Sequence, residues 1–120
     1  MAVILVVEDD AFIMQSLGWM LEDLGHNMLS AHDPGAAMAQ LAAKQLIDAL
    51  FVDIRLGNLV LGGYDVANRA IDLRPDLPVL YTSGSQLTAE MTGRFVPGGR
   101  FLQKPYSPVH VEASIAAIFN

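Results

Sequence analysis

The sequence predicts an α/β domain built on a parallel sheet, and three observations carry that expectation. The runs Ala2 to Val7 and Ala49 to Val52 are apolar without alternation, as strands buried on both faces are. Between such runs, apolar residues recur at helical spacing, so strands and helices alternate along the chain. Acids close both runs, Glu8-Asp9-Asp10 after the first and Asp53 after the second. Open α/β sheets place their chemistry at the C-terminal ends of parallel strands.

The first strand, Ala2 to Val7, is rich in Val and Ile and delivers its acids to the same edge as Asp53. Ile13, Leu17, Met20, Leu21 and Leu24 then mark a helix from Ala11 to Leu24, ended by Gly25, with Asp10 as its expected N-cap. Met28 to Ala31 is a short second strand. Asp33-Pro34 opens the second helix, the acid as N-cap and the proline at the first helical position, where a missing N–H costs nothing. Ala36, Ala37, Met38, Leu41 and Ala42 give that helix its apolar face.

Strand three is Ala49 to Asp53, followed by the loop Gly57 to Gly63 and a helix from about Tyr64 to Leu73. Arg74 to Pro78 is a turn, and Val79 to Ser83 is the fourth strand, closed by Gly84. Gln86 to Arg94 reads as a weak helix containing two threonines and Gly93, cut off by Pro97-Gly98-Gly99, and is expected to be the most mobile. Strand five runs from Phe101 to Lys104; Pro105 breaks it, and Ser107-Pro108 caps a last helix through Ile118. Five strands alternating with five helices make right-handed crossovers the economical topology. Residues 1–120 are expected to form one domain, without repeats, linkers or low-complexity runs.

A chain of 120 residues buries one adequate core without disulfides. It has no cysteine, which excludes a thiol nucleophile and a cysteine metal cluster. Its formal net charge of -6, with seven scattered Lys and Arg, argues against direct binding to nucleic acid. No signal peptide or run near the ~20 residues of a bilayer span is seen, so no membrane contact and a cytoplasmic location are expected. His26, His32 and His110 lack ligand spacing and read as surface or boundary residues. Trp19, Met14 and Met38 read as core packing or a partly exposed edge.

In a parallel sheet the ends of strands one, three, four and five share one edge. Glu8 and Asp9, Asp53, Thr82 and Ser83, and Lys104 therefore converge although they are far apart in sequence. Ionised carboxylates a few ångströms apart repel by several kcal/mol per close pair, so a divalent cation is the natural neutraliser. An oxygen-only donor set suits Mg²⁺, with Mn²⁺ as the alternative.

At these residues the chain resembles the receiver domains of two-component response regulators. Val6-Val7-Glu8-Asp9 looks like the family's acid pair, Asp53 like its phospho-accepting aspartate, Ser83-Gly84 like its switch hydroxyl and small neighbour, and Lys104-Pro105 like its lysine and cis proline. The resemblance spans the chain from Val3 to the last helix. It implies a flavodoxin-like sheet of order 2-1-3-4-5 and a phosphoryl group taken by Asp53 from a histidine kinase, a phosphotransfer histidine or a small phosphodonor. It further implies Mg²⁺ held by Asp9, Asp53 and the backbone carbonyl of Arg55, with Glu8 reaching it through water. Lys104 would bind a phosphoryl oxygen, Ser83 another, and Phe101 would follow Ser83 inward as the switch aromatic.

Counting five residues from Pro78 selects Ser83 as that hydroxyl; Thr82 is the alternative. Family members commonly carry a proline four residues after the aspartate, where this chain has Gly57 and a lengthened loop. Arg55 and Ser85 occupy the positions that tune phosphate lifetime in the family, and a long Arg55 either shields the phosphoryl group or orients the attacking water.

The expected function is a phosphorylation-driven switch without an attached output domain, monomeric or dimerising on phosphorylation. A piece of a longer regulator or hybrid kinase would read the same, and a degenerate, docking-only receiver is disfavoured by the intact acids and lysine. A haloacid-dehalogenase-type phosphatase needs a second acid two residues after its nucleophile, where this chain has Arg55. Nucleotide-binding glycine motifs are absent after the first strand.

Overall fold

The computed structural model describes residues 1–119, so Asn120, the last residue of the expected domain, lies outside the described residues. Five parallel strands, β1 (Val3–Val7), β2 (Asn27–Ala31), β3 (Ala49–Asp53), β4 (Val79–Ser83) and β5 (Arg100–Gln103), form one sheet in the order β2-β1-β3-β4-β5. The helices α1 (Ala11–Asp23), α2 (Pro34–Ala42), α3 (Gly62–Leu73), α4 (Ala89–Gly93) and α5 (Pro108–Ile118) connect them. This is the flavodoxin-like order expected above.

Each strand sends alternate residues into two cores. Leu5, Val7, Leu50, Val52, Val79 and Tyr81 pack against Leu41 of α2 and Val66, Ala67 and Ala70 of α3. Ile4, Val6, Ala49, Phe51, Leu80 and Leu102 pack against Met14, Leu17 and Leu21 of α1 and Val111 and Ile115 of α5. All five residues of β3 are buried, which is why its run shows no alternation and why Asp53 is drawn into the protein.

Side chains fix where the helices start. Asp10 caps α1, its Oδ1 accepting from the N–H groups of Phe12 at 2.9 Å and Ile13 at 3.1 Å. Asp33 caps α2 by accepting from Ala36 N–H at 2.7 Å. Trp19 is exposed, whereas Met14 is buried and Met38 packs at the edge of a core.

Two elements differ from the expectation by more than one residue at an end; β5, expected from Phe101 to Lys104, is shifted by one to Arg100–Gln103. Residues 86–88 are not helical, and α4 is a five-residue helix that begins after its cap, Thr88, and buries no residue. Its threonines and Gly93 leave it too little apolar contact to extend. Helix α3 starts at Gly62, two residues early, because the loop before it closes tightly. Leu56 and Leu59 exchange both backbone hydrogen bonds, at 3.0 and 2.9 Å, across Gly57-Asn58, with Gly57 at φ 61°. A glycine of positive φ at the first central position suits a two-residue hairpin turn.

Candidate functional site

The C-terminal ends of β1, β3 and β4 and the residue after β5 surround one crevice lined by Glu8, Asp9, Asp53, Arg55, Ser83 and Lys104, with Ile13 of α1 at its side. Lys104 is the hub. Its Nζ donates to Glu8 Oε1 at 2.6 Å and to Asp53 Oδ2 at 2.9 Å. Lys104 N–H donates to Ser83 O at 2.8 Å, extending the β4–β5 ladder by one residue, and the Lys104–Pro105 peptide that follows is cis.

The acids are held by backbone donors as well. Asp9 Oδ2 accepts from Gly57 N–H at 2.8 Å, and Glu8 Oε2 accepts from Asp10 N–H at 3.2 Å. The hairpin turn after β3 thus orients an acid at the end of β1. One carboxylate oxygen from each of Glu8, Asp9 and Asp53 lies within 4.8 Å of the other two. Their hard oxygens and short separation fit a divalent cation.

Electrostatics give the same requirement. Glu8 and Asp53 are 2% and 5% exposed, and one ammonium cannot neutralise both. Burial pushes Glu8 up to about 7, with the Lys104 hydrogen bond opposing and Asp53 adding to the rise. Lys104 is raised above the ordinary lysine value because its two carboxylate partners outweigh its own burial. Burial, and after it the neighbouring Asp53, therefore favour a proton on Glu8 despite the Lys104 ammonium. A divalent cation would cancel the charge that Lys104 leaves over the three carboxylates.

Of the residues predicted for the site, Glu8, Asp9, Asp53, Arg55, Ser83 and Lys104 all meet in this crevice. Arg55 is exposed, its Nε turned back to Gly57 O at 3.5 Å. Ser83 is half-buried, its Oγ accepting from Ser85 N–H at 3.1 Å. Thr82, the alternative hydroxyl, is 1% exposed and does not line the crevice. Phe101 stands apart, 6.4 Å from Phe95 in a series of rings that continues to Tyr81 at 4.2 Å and Tyr64 at 6.3 Å. His26, His32 and His110 stay outside, His26 accepting from Ala2 N–H at 3.0 Å.

Sequence reasoning passed over Tyr106, whose hydroxyl is buried without a protein partner. Burial, then the charges of Glu8, Asp53 and Asp10, raise its pKa and keep it a phenol. The available signal was its position two residues after the site lysine.

Comparison with known proteins adds the family. Residues 4–116 match the family described as the response regulator receiver domain. The chain is 27% identical over 116 residues to the transcriptional regulatory protein CreB of Escherichia coli, covering 96% of this chain and 49% of that protein. It is 28% identical over 118 residues to the response regulator MprA of Mycobacterium ulcerans, covering 98% and 50%. The chain thus spans about half the length of these curated relatives. Among solved structures, a response regulator receiver protein from Sinorhizobium medicae superposes with a TM-score of 0.89 at 25% identity, covering 99% of this chain and 94% of that one. The chemotaxis protein CheY4 of Vibrio cholerae superposes with a TM-score of 0.86 at 23% identity, covering 98% of both chains, and shows the shared fold.

Proposed function

The chain belongs to the response regulator receiver domain family, and from that premise we propose that Asp53 is the residue through which it accepts a phosphoryl group. The family makes it a phospho-accepting signalling module of a two-component system, with a histidine kinase as the implied class of phosphodonor. The observation that carries the assignment is the single ammonium of Lys104 held at 2.9 Å from Asp53 and 2.6 Å from Glu8 in a crevice of acids.

An oxygen of Asp53 attacks phosphorus, the bond from phosphorus to the donor histidine nitrogen breaks, and its electron pair leaves with the imidazole. Lys104 then shifts from carboxylate to phosphoryl oxygens, where negative charge is spread in the transition state. The Ser83 hydroxyl, facing the crevice, turns to another phosphoryl oxygen. Glu8, Asp9, Asp53 and the Arg55 carbonyl would hold Mg²⁺, with Mn²⁺ the alternative, and the cation supplies charge neutralisation between carboxylates and phosphoryl group.

The switch follows as a two-state shift, in which added charge at Asp53 reorganises Ser83 and the short α4 and changes the partner affinity of the α4, β5 and α5 face. Phe101 lies in that face, beside Phe95. The partner is a downstream protein or a phosphotransfer histidine.

The test is intact mass after incubation with acetyl phosphate and Mg²⁺. Wild type gains one phosphoryl group, Asp53→Asn gains none, and a chelator suppresses the gain. A gain by Asp53→Asn would place the acceptor elsewhere.

A further inference from the structure

Thr82 presents a polar group where the fold asks for none. It is 1% exposed, yet its Oγ1 is buried without a hydrogen bond to the protein. Leu80, two residues earlier on the same strand face, is a core residue, and valine in place of Thr82 would occupy nearly the same volume without the cost of burying a hydroxyl. A buried polar group without a protein partner needs an explanation, and a partner gained in another state supplies one.

The register supplies that partner. Asp53 and Thr82 are paired residues of the parallel β3–β4 ladder, so their side chains stand next to each other on the face covered by α1 and α5. Neighbouring strands lie about 4.8 Å apart, so a hydroxyl and a carboxyl group on paired residues of one face can come within hydrogen-bonding distance of each other. In the unphosphorylated state Lys104 already serves Asp53 Oδ2.

We propose that Thr82 is the hydrogen-bond donor to the acyl oxygen of phosphorylated Asp53, taking up that role once the Lys104 ammonium has turned to the phosphoryl group. The proposal rests on Asp53 being the phosphoacceptor. In hydrolysis, a water oxygen bonds to phosphorus and the bond from phosphorus to the Asp53 oxygen breaks. Its electron pair stays on the carboxylate, and a proton from the water passes to solvent as inorganic phosphate forms. Negative charge therefore grows on the Asp53 carboxyl group as the bond breaks, and a donor beside the acyl oxygen stabilises it. Ser83 and Thr82 serve opposite ends of the acyl phosphate, the first from the crevice and the second from beneath it.

The experiment loads wild type, Thr82→Val, Thr82→Ser and Asp53→Asn from acetyl phosphate, removes the donor, and follows loss of the phosphoryl mass. Thr82→Val is expected to lose it about tenfold more slowly than wild type, and Thr82→Ser within about twofold of wild type. The Tm of Thr82→Val should equal or exceed that of wild type, which separates this effect from damage to the fold. With ¹³C-labelled aspartate, the acyl carbonyl band in the infrared should move to higher frequency in Thr82→Val, as it does when a carbonyl loses a donor. A Thr82→Val protein with wild-type loss rate and an unmoved band would overturn the proposal. Phosphoryl gain by Asp53→Asn would instead bring down the assignment of Asp53, and this proposal with it.

Discussion

Glu8 holds Lys104 more closely than Asp53 does, at 2.6 Å against 2.9 Å, although Asp53 is the expected phosphoacceptor. In the proposed function Lys104 keeps its contact with Glu8 as a tether while it moves from Asp53 to an incoming phosphoryl oxygen.

That anchor has a pH signature. Burial raises Glu8 from 4.5 to about 7 in the folded protein, so between those values the folded chain keeps a proton that the unfolded chain has lost. Stability in chelator should therefore fall as pH rises from about 5 to about 7.5, by up to roughly 3 kcal/mol. Glu8→Gln should flatten this slope and weaken Mg²⁺ binding at least about tenfold. Urea denaturation at several pH values, with a Mg²⁺ titration at pH 8, checks both.

Lys104→Met leaves two buried carboxylates facing each other. Removing one partner of a buried pair costs about 3–5 kcal/mol, and the loss should be largest at pH 8, smaller near pH 5 where Glu8 is protonated, and partly reversed by Mg²⁺. Thermal unfolding with and without the cation measures it.

Gly63 links the loop to the end of β3 by close approach. A Cβ there would lie 2.2 Å from Asp53 O and 2.6 Å from Ile54 Cα, both backbone atoms. Gly63→Ala should destabilise the protein by about 1–3 kcal/mol and slow phosphoryl uptake, because the end of β3 must shift. Chemical denaturation and the rate of mass gain report the two effects.

The short α4 buries no side chain, and Gly98 follows it at φ 78°. Few buried contacts mean a low cost of local opening. Hydrogen exchange over residues 86–100 should be the fastest of any helix and should change on adding beryllofluoride with Mg²⁺. Unchanged exchange there would remove α4 from the switch.

The lengthened loop after Asp53 marks where local reading stopped. The Gly57-Asn58 turn can be understood from its residues once seen, but that it brings Gly57 N–H to Asp9 is a contact between residues 48 apart in sequence. The need for glycine at residue 63 is likewise non-local, since it comes from the neighbouring backbone at the end of β3. Helix α4 is shorter than expected because the length of a weak helix depends on what it packs against, and none of its side chains is buried.

By itself, the sequence determined the strand and helix alternation, the sheet edge to which Glu8, Asp9, Asp53, Ser83 and Lys104 belong, and the caps Asp10 and Asp33, because apolar periodicity and capping are local properties. Only the tertiary structure decided that one lysine is shared by Glu8 and Asp53, that Ser83 lines the crevice while Thr82 is buried and does not, and that Phe101 joins the rings of Phe95 and Tyr81. These outcomes depend on strand register and on distances between residues far apart in the chain, which periodicity does not carry.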